Sequence, residues 1–166
     1  QLVAEVDRIG QATIHNDQSL LTGFGNRVNE SSTAVTTSNA TGVTRIAISA
    51  AGAGTYTFVD SGADGSLTLG NGLVTQTITG IQLDGAVVAS GTTTIANFDR
   101  LGVQVSLAGA NAPGATGSYT DGDLNGTSIV VEQQTGGVFQ IGPTASAVDR
   151  LEVGIADMRA SGTALN

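Results

Sequence analysis

Hydrophobic residues follow a helical spacing at the start of the chain. Leu2, Val6, Ile9 and Thr13 are separated by three or four positions, which places them on one face of an amphipathic helix. A helix of about three turns is only marginally stable in isolation. We therefore expect this helix to lie against another part of the chain, and the C-terminal hairpin described below is the candidate.

From Val43 onward the spacing changes to short strand-like runs that are interrupted by glycine-containing turns. Leu101, Val103, Val105 and Leu107 alternate with other residues, so their side chains should share one face of a strand. Asp64-Gly65, Asn71-Gly72 and Asp84-Gly85 predict two-residue hairpin turns, because an Asx-Gly pair tolerates positive φ angles. The predicted strands are Arg45–Ser49, Thr55–Asp60, Ser66–Leu69, Leu73–Ile78, Ile81–Leu83, Ala86–Ala89, Thr92–Phe98, Leu101–Leu107 and Ser128–Glu132. So many short strands at close spacing indicate a β-sandwich or a barrel-like domain.

The C-terminal end predicts a separate hairpin. Val138–Ile141 and Leu151–Ile155 are short apolar segments on either side of a connector that is rich in turn residues. In the second segment Leu151, Val153 and Ile155 alternate with Glu152 and Gly154, so we expect one buried side. A helix-like stretch, Ala156–Ala160, follows it.

The predicted fold class is therefore α+β, mainly β with α-structure at the N-terminus. Residues 1–41 and 135–166 would form one part, made of the helix, a loop and the hairpin. Residues 42–134 would form a β-sandwich-like outer domain inserted into it. The stretch Asn26–Gly42 is rich in Ser, Thr and Asn and is interpreted as a linker or a loosely packed entry into the β-domain.

Composition narrows the classes of function. The chain has 166 residues, a formal net charge of -8 and no lysine, and its six arginines are scattered singly. No basic stripe is available to neutralise phosphates, so we expect no nucleic-acid partner, and an anionic membrane surface would repel the chain. Cysteine is absent, which excludes disulfides, thiol catalysis and cysteine-based zinc sites.

The two ends of the chain carry a resemblance to a known family. The letters FQIG at Phe139–Gly142, followed by a strand leading into IADMRASG, resemble the point where bacterial flagellins return to their conserved core. The N-terminal letters LVAEVDRIGQATIHNDQSLLTG resemble the flagellin segment that ends a core helix and enters a loop of the type F-N-G-x-x-L-L-x-G. Two departures are visible, because Ile14-His15 replaces the usual Q/E-F pair and Asp17 stands where Gly is usual.

This resemblance implies a structural role. The chain would be an extracellular fragment of the bacterial flagellar filament, the secreted structure responsible for motility, and its partners would be other flagellin subunits. The long terminal helices required for polymerisation would lie outside it, so we expect this fragment to be monomeric. The resemblance also places Glu5 on the helix face contacted by the flagellin-sensing Toll-like receptor of vertebrates; an ordinary solvated carboxylate is the alternative interpretation.

A second class of function stays open at this point. The outer domain could belong to an extracellular β-sandwich adhesin or a carbohydrate-binding module, which usually presents aromatic side chains to sugars. Exposure of Tyr56, Phe58 and Phe98 on one flat strand face would favour this alternative. An enzyme is not expected, because His15 is the only histidine and neither a G-x-S-x-G nor an H-E-x-x-H motif is present.

One stretch matches a metal-binding template. Asp121, Asp123, Asn125 and Glu132 occupy the first, third, fifth and twelfth positions of the calcium-loop pattern D-x-D-x-N-G-x5-E. A strand is predicted immediately before Glu132, however, and no helix is predicted beside the loop. The alternative interpretation is an Asx/Gly turn that leads into a strand. We therefore expect no cofactor, with calcium at these four residues as the candidate to examine.

Overall fold

A computed structural model describes residues 2–15, 18–19, 21–35, 41–49, 51–62, 64–115, 117–133, 138–144 and 149–160. These residues form one α-helix, one short 3-10 helix (Thr33–Val35) and fourteen strands, which confirms the mainly β fold class with an N-terminal helix. In chain order the elements are α1 (Leu2–Ala12), β1 (Ile14–His15), β2 (Gln18–Ser19), β3 (Thr22–Phe24), β4 (Arg27–Val28), β5 (Val43–Ile48), β6 (Gly54–Val59), β7 (Ser66–Gly70), β8 (Thr75–Thr79), β9 (Thr93–Phe98), β10 (Val103–Ala108), β11 (Ser128–Glu132), β12 (Val138–Gln140), β13 (Arg150–Glu152) and β14 (Ile155–Asp157).

Two antiparallel sheets contribute to one hydrophobic core. The larger sheet has five strands in the order β4-β11-β6-β7-β8, and the smaller has three in the order β5-β10-β9. Phe58 of the larger sheet and Phe98 of the smaller meet edge to face, with ring centroids 6.1 Å apart. Both rings are fully buried, as are Val103, Val105 and Leu107, whose alternation correctly predicts the inward face of β10. These two sheets are called the sandwich below.

The β7–β8 turn forms near its predicted position, but with different central residues, whereas Asp64-Gly65 forms no two-residue hairpin because residues 60–65 separate β6 from β7. In the β7–β8 hairpin the amide of Asn71 donates to the carbonyl of Val74, so Gly72 and Leu73 occupy the centre of the turn. Gly72 has a φ of 84°, and the Asn71 side chain accepts hydrogen bonds from the amides of Leu73 and Val74. Asn71 therefore caps the turn from outside, because its side chain satisfies donors that the turn leaves open.

The predicted strands around Asp84-Gly85 are not formed. This region contains only isolated bridges between Asp84 and Val87 and between Val87 and Thr120. Here too the glycine alone adopts positive φ, at 70° for Gly85. The stretch is a turn that contacts the loop before Asp121, because the amide of Asp121 donates to the carbonyl of Ala86 at 2.7 Å.

The interpretation of Asn26–Gly42 as a linker is wrong for the residues that the structure describes. Strand β4 pairs with β11 and forms one edge of the five-stranded sheet. Ala34 is fully buried in the core, and the Ser32 hydroxyl accepts a hydrogen bond from the amide of Val130 at 2.9 Å. Residues 36–40 lie outside the described residues. The division of the chain at residue 42 stays a prediction, but β4 belongs to the sandwich.

At the C-terminal end one expectation is confirmed and two are wrong. Strands β12 and β13 pair antiparallel, as the hairpin prediction requires. Their apolar side chains are not covered, however: Phe139 is 52% exposed and Leu151 49%. The predicted helix-like stretch after Ile155 instead begins with strand β14, which pairs with β3, because backbone pairing with another strand outweighs the modest helix preference of Ala and Met.

Candidate functional site

The two ends of the chain meet in space. Strand β14 pairs with β3, with Ile155 opposite Phe24 and Asp157 opposite Thr22. The amide of Ala160 donates to Oδ1 of Asp7 on helix α1 at 2.8 Å. Helix α1 therefore lies against the C-terminal segment at residues 158–160, which follow the hairpin that the sequence predicts as its partner. We call the described residues 2–25 and 138–160, which contain α1, β1–β3 and β12–β14, the terminal platform.

Close approach of the backbone helps to join the two ends. A methyl group in place of the hydrogen of Gly10 would lie 3.2 Å from Cγ of Arg159, so glycine allows the helix to approach the C-terminal segment. The amide of Met158 also donates to the carbonyl of Leu21 at 2.9 Å. A shallow apolar depression of about 140 Å³, lined by Val6, Ile9, Gly10, Leu21 and Met158, lies at this contact.

The terminal platform exposes many large apolar side chains. Leu2 is 80% exposed, Ile141 66% and Phe139 52%. The full set on the platform is Leu2, Val3, Ile9, Ile14, Phe139, Ile141, Leu151, Val153 and Met158. Exposed apolar side chains of this kind mark a surface for contact with another protein where they adjoin one another.

Glu5, the candidate receptor contact, lies on α1 and is exposed. The Arg8 guanidinium donates two hydrogen bonds to its carboxylate, from Nε to Oε2 at 2.9 Å and from Nη2 to Oε1 at 2.6 Å. The guanidinium lowers the pKa of Glu5 because it stabilises the charged form. A partner that contacts Glu5 would therefore meet an ion pair one turn into the helix.

The calcium-loop residues are not brought together. Glu132 lies at the end of β11, four residues or roughly 13 Å beyond Ser128 along the strand. There its carboxylate accepts hydrogen bonds from Arg27, at 2.7 Å, and from the side-chain amide of Asn29. Among the residues that the structure describes, no group of three His, Cys, Asp or Glu side chains could hold a metal ion.

The other three candidate ligands make hydrogen bonds within the sandwich. Oδ2 of Asp121 accepts from the amide of Gly65 at 2.7 Å, and Oδ2 of Asp123 accepts from the amide of Thr120 at 2.9 Å. Oδ1 of Asn125 accepts from the amide of Asp60 at 3.3 Å. The alternative interpretation, an Asx/Gly turn leading into a strand, describes these bonds.

A buried carboxylate beneath this loop is absent from the sequence-based candidates. Asp60 is 2% exposed, and its Oδ2 accepts hydrogen bonds from the hydroxyl of Tyr119 at 3.0 Å and the amide of Leu124 at 3.1 Å. Its Oδ1 is buried and meets no donor in the described part of the chain. Burial raises the pKa of Asp60, because water no longer solvates the charge. The spacing of two from Tyr56 through Phe58 to Asp60 could have revealed this inward position.

Burial also raises the pKa of Tyr119, and the nearby carboxylates of Asp60 and Asp121 add to this effect. The phenol is therefore held as a neutral donor. Its hydroxyl lies 3.0 Å from Asp60 and 3.4 Å from Asp121, so one side chain connects two parts of the sandwich that are about sixty residues apart in sequence. The Tyr119 hydroxyl and the two carboxylates bind one another in the interior of the sandwich, so their role is to stabilise the fold.

The remaining candidates have ordinary structural surroundings. Tyr56, Phe58 and Phe98 are at most 1% exposed, so these three rings form no surface platform. His15 lies on the exposed strand β1, opposite Gln18. No described helix has the length and apolar character needed to cross a membrane.

Comparison with known proteins finds no match to a protein-family model, a curated protein or a solved structure. A role for the chain is therefore argued from its sequence and geometry.

Proposed function

We propose that this chain is the core-edge and outer-domain part of a flagellin, a structural subunit of the bacterial flagellar filament. The proposal is supported by one observation above the others. The two segments that carry the flagellin resemblance are joined through β3 and β14 and through the contact of Asp7 with Ala160. The β-sandwich lies between these two segments in the sequence.

The distribution of apolar surface supports a role in assembly. On the platform, side chains such as Leu2 and Phe139 are exposed, and the missing filament helices and neighbouring subunits would cover them. The sandwich buries its own aromatic residues and can stand in solvent on the outside of a filament. The net charge of -8 helps to keep such a surface soluble.

Antibody labelling of intact cells of the source bacterium tests the filament assignment. Antibodies raised against the purified chain should decorate flagellar filaments along their whole length, as seen by electron microscopy with gold particles. Cells from which filaments have been sheared should lose the label, and the sheared filaments should carry it. Label that stays on the cell envelope while the filaments remain bare would contradict the proposal.

The assembly state of the chain provides a second test. Without the terminal helices the chain should sediment as a monomer, and filaments or large oligomers formed by the chain alone would count against the proposal. The flagellin-sensing Toll-like receptor is a further proposed partner through Glu5, and we expect only weak activation of it in a reporter assay. We do not extend the proposal to a carbohydrate-binding module, because its candidate rings lie in the core.

A further inference from the structure

A cleft of about 400 Å³ opens where the edges of the two sheets approach the C-terminal hairpin. Its walls come from four strands and two flanking residues: Arg27 and Val28 of β4 with Asn26 before them, residues 45–49 in and after β5, Gln104 of β10, and Arg150 and Leu151 of β13 with Gly154 after them. The hydroxyl of Ser49 donates to the carbonyl of Arg150 at 3.0 Å, which fixes β13 beside the end of β5. The volume is within the range of sites that bind small molecules or short peptide segments.

Positive charge is concentrated in this cleft. Three of the six arginines in the chain, Arg27, Arg45 and Arg150, line it, although the chain carries a net charge of -8. Arg27 is paired with Glu132 at 2.7 Å. Arg45 and Arg150 have no ion pair within the described part of the chain, and Arg45 is exposed. Two guanidinium groups are therefore left to meet an incoming anion, and their planar forks suit carboxylates.

The cleft is also bordered by two sheet edges. Strand β5 is the last strand of the three-stranded sheet, and β4 is the last strand of the five-stranded sheet. The amide of Ser49 points towards β10, because it donates to the carbonyl of Gly102 at 2.7 Å. Backbone groups alternate in direction along an antiparallel strand, so Ala47 also faces β10, whereas Ile46 and Ile48 direct their amides and carbonyls away from it.

Five consecutive residues, 45–49, line the cleft, so it borders the backbone edge of β5 as well as its side chains. Side chains alone would contribute every second residue of β5, but a backbone edge contributes all of them. An edge of this kind can accept an additional strand, with main-chain hydrogen bonds supplying affinity and side-chain contacts supplying specificity.

We propose that the cleft binds an extended acidic peptide segment of a partner protein, which adds a strand to the edge of β5. The segment pairs with the amides and carbonyls of Ile46 and Ile48, and its carboxylates bind Arg45 and Arg150. Three or four extended residues, roughly 10–13 Å long, match the stretch of β5 that borders the cleft. This binding site is independent of the filament assignment.

Nuclear magnetic resonance of the ¹⁵N-labelled chain tests the proposal. The probe is a blocked five-residue peptide of alternating glutamate and threonine, and the matched control peptide has glutamine in place of glutamate. The acidic peptide should slow hydrogen exchange of the Ile46 and Ile48 amides and leave that of Ala47 unchanged, because Ala47 already faces β10. The glutamine peptide should bind about tenfold more weakly, since it lacks the charge-assisted hydrogen bonds.

Variants separate a specific site from general charge attraction. Arg45→Gln and Arg150→Gln should each weaken binding of the acidic peptide about tenfold. Arg100→Gln removes the same charge from the exposed turn between β9 and β10, and it should leave binding unchanged. Unaltered exchange of the buried Val105 amide would show that each variant is folded.

Several results would overturn the proposal. These are no binding of the acidic peptide, equal weakening by Arg100→Gln, or binding without protection of Ile46 and Ile48. Citrate serves as a small-anion probe. If citrate binds as tightly as the peptide and competes with it, the cleft is a site for small anions and the added-strand proposal is wrong.

Discussion

The sandwich and the terminal platform contain similar apolar residues but treat them differently. In the sandwich Phe58, Phe98, Leu67 and Leu69 are completely buried between the two sheets. On the platform Phe139 is 52% exposed, and larger fractions of other apolar side chains also face solvent. The sandwich therefore supplies both sides of its own core, whereas the apolar side chains of the platform are left partly in solvent.

The hydrogen bonds also indicate that the sandwich is held together more firmly than the platform. In the sandwich, buried side chains such as Ser32 and Asp60 form hydrogen bonds with distant parts of the sequence. The contact between the two chain ends on the platform involves short strands and the bonds of Met158 and Ala160 described above. Regions with fewer buried contacts open locally at a lower free energy than the global unfolding reaction. We expect the platform to open first.

The largest expected effect comes from truncating an aromatic residue in each region. Phe58→Ala should lower the free energy of unfolding by about 3–5 kcal/mol, because it leaves a cavity where the two sheets meet. Phe139→Ala should cost less than about 1 kcal/mol, since half of that ring is already in water. Denaturant unfolding followed by tyrosine fluorescence measures this, because the chain has no tryptophan and both tyrosines lie in the sandwich. Equal losses from the two variants would mean that the platform shares the sandwich core.

Local patterns predicted much of the sandwich from sequence. The alternation of Val103, Val105 and Leu107 reports a strand with one buried face, and Ser128–Glu132 was predicted with the bounds that the structure has. Both signals are contained within a few residues. Strand β4 has no comparable signal, because it has two residues and is stabilised by pairing with β11 about one hundred residues later.

The same distinction applies to the candidate sites. The calcium-loop pattern treats Glu132 as part of the loop that begins at Asp121. In the structure Glu132 lies at the end of strand β11, away from that loop, and pairs with Arg27 on β4. The cleft on β5 depends on which strand is last in each sheet, and the sequence does not state the strand order. Asp60 was accessible to prediction, since it continues the inward alternation of Tyr56 and Phe58.

The second prediction concerns the buried hydrogen bonds of the sandwich. Tyr119→Phe removes the hydroxyl that donates to Asp60 and should lower the free energy of unfolding by about 1–3 kcal/mol at neutral pH. The reason is that a buried carboxylate loses a donor while its shape is preserved. Circular dichroism during urea unfolding measures this loss, because the substitution removes one of the two tyrosines on which fluorescence depends.

The cost of Tyr119→Phe should depend on pH in a defined direction. Burial raises the pKa of Asp60 above its ordinary value of 3.8, so the native state holds this proton more tightly than the unfolded state does. The contribution of Asp60 to stability is complete below that value and is lost as pH rises through the pKa of the folded protein. The hydroxyl of Tyr119 stabilises the charged form of Asp60 and so opposes this rise in its pKa. The variant should therefore approach wild-type stability near pH 3 and fall further behind as pH increases. A cost that is constant with pH would contradict a role for Asp60, and Asp60→Asn should abolish the dependence.

The smallest expected effect tests the join between the two chain ends. Asp7→Ala removes the acceptor of the Ala160 amide and should make that amide exchange roughly fivefold faster, corresponding to about 1 kcal/mol. Gln11→Ala on the same helix is the control, because Gln11 is exposed and the change preserves helix propensity. Global unfolding of the sandwich should be unchanged, since the platform is expected to open separately. If Asp7→Ala lowers the unfolding free energy of the sandwich by the same amount, the two regions unfold as one unit and the contrast between them fails.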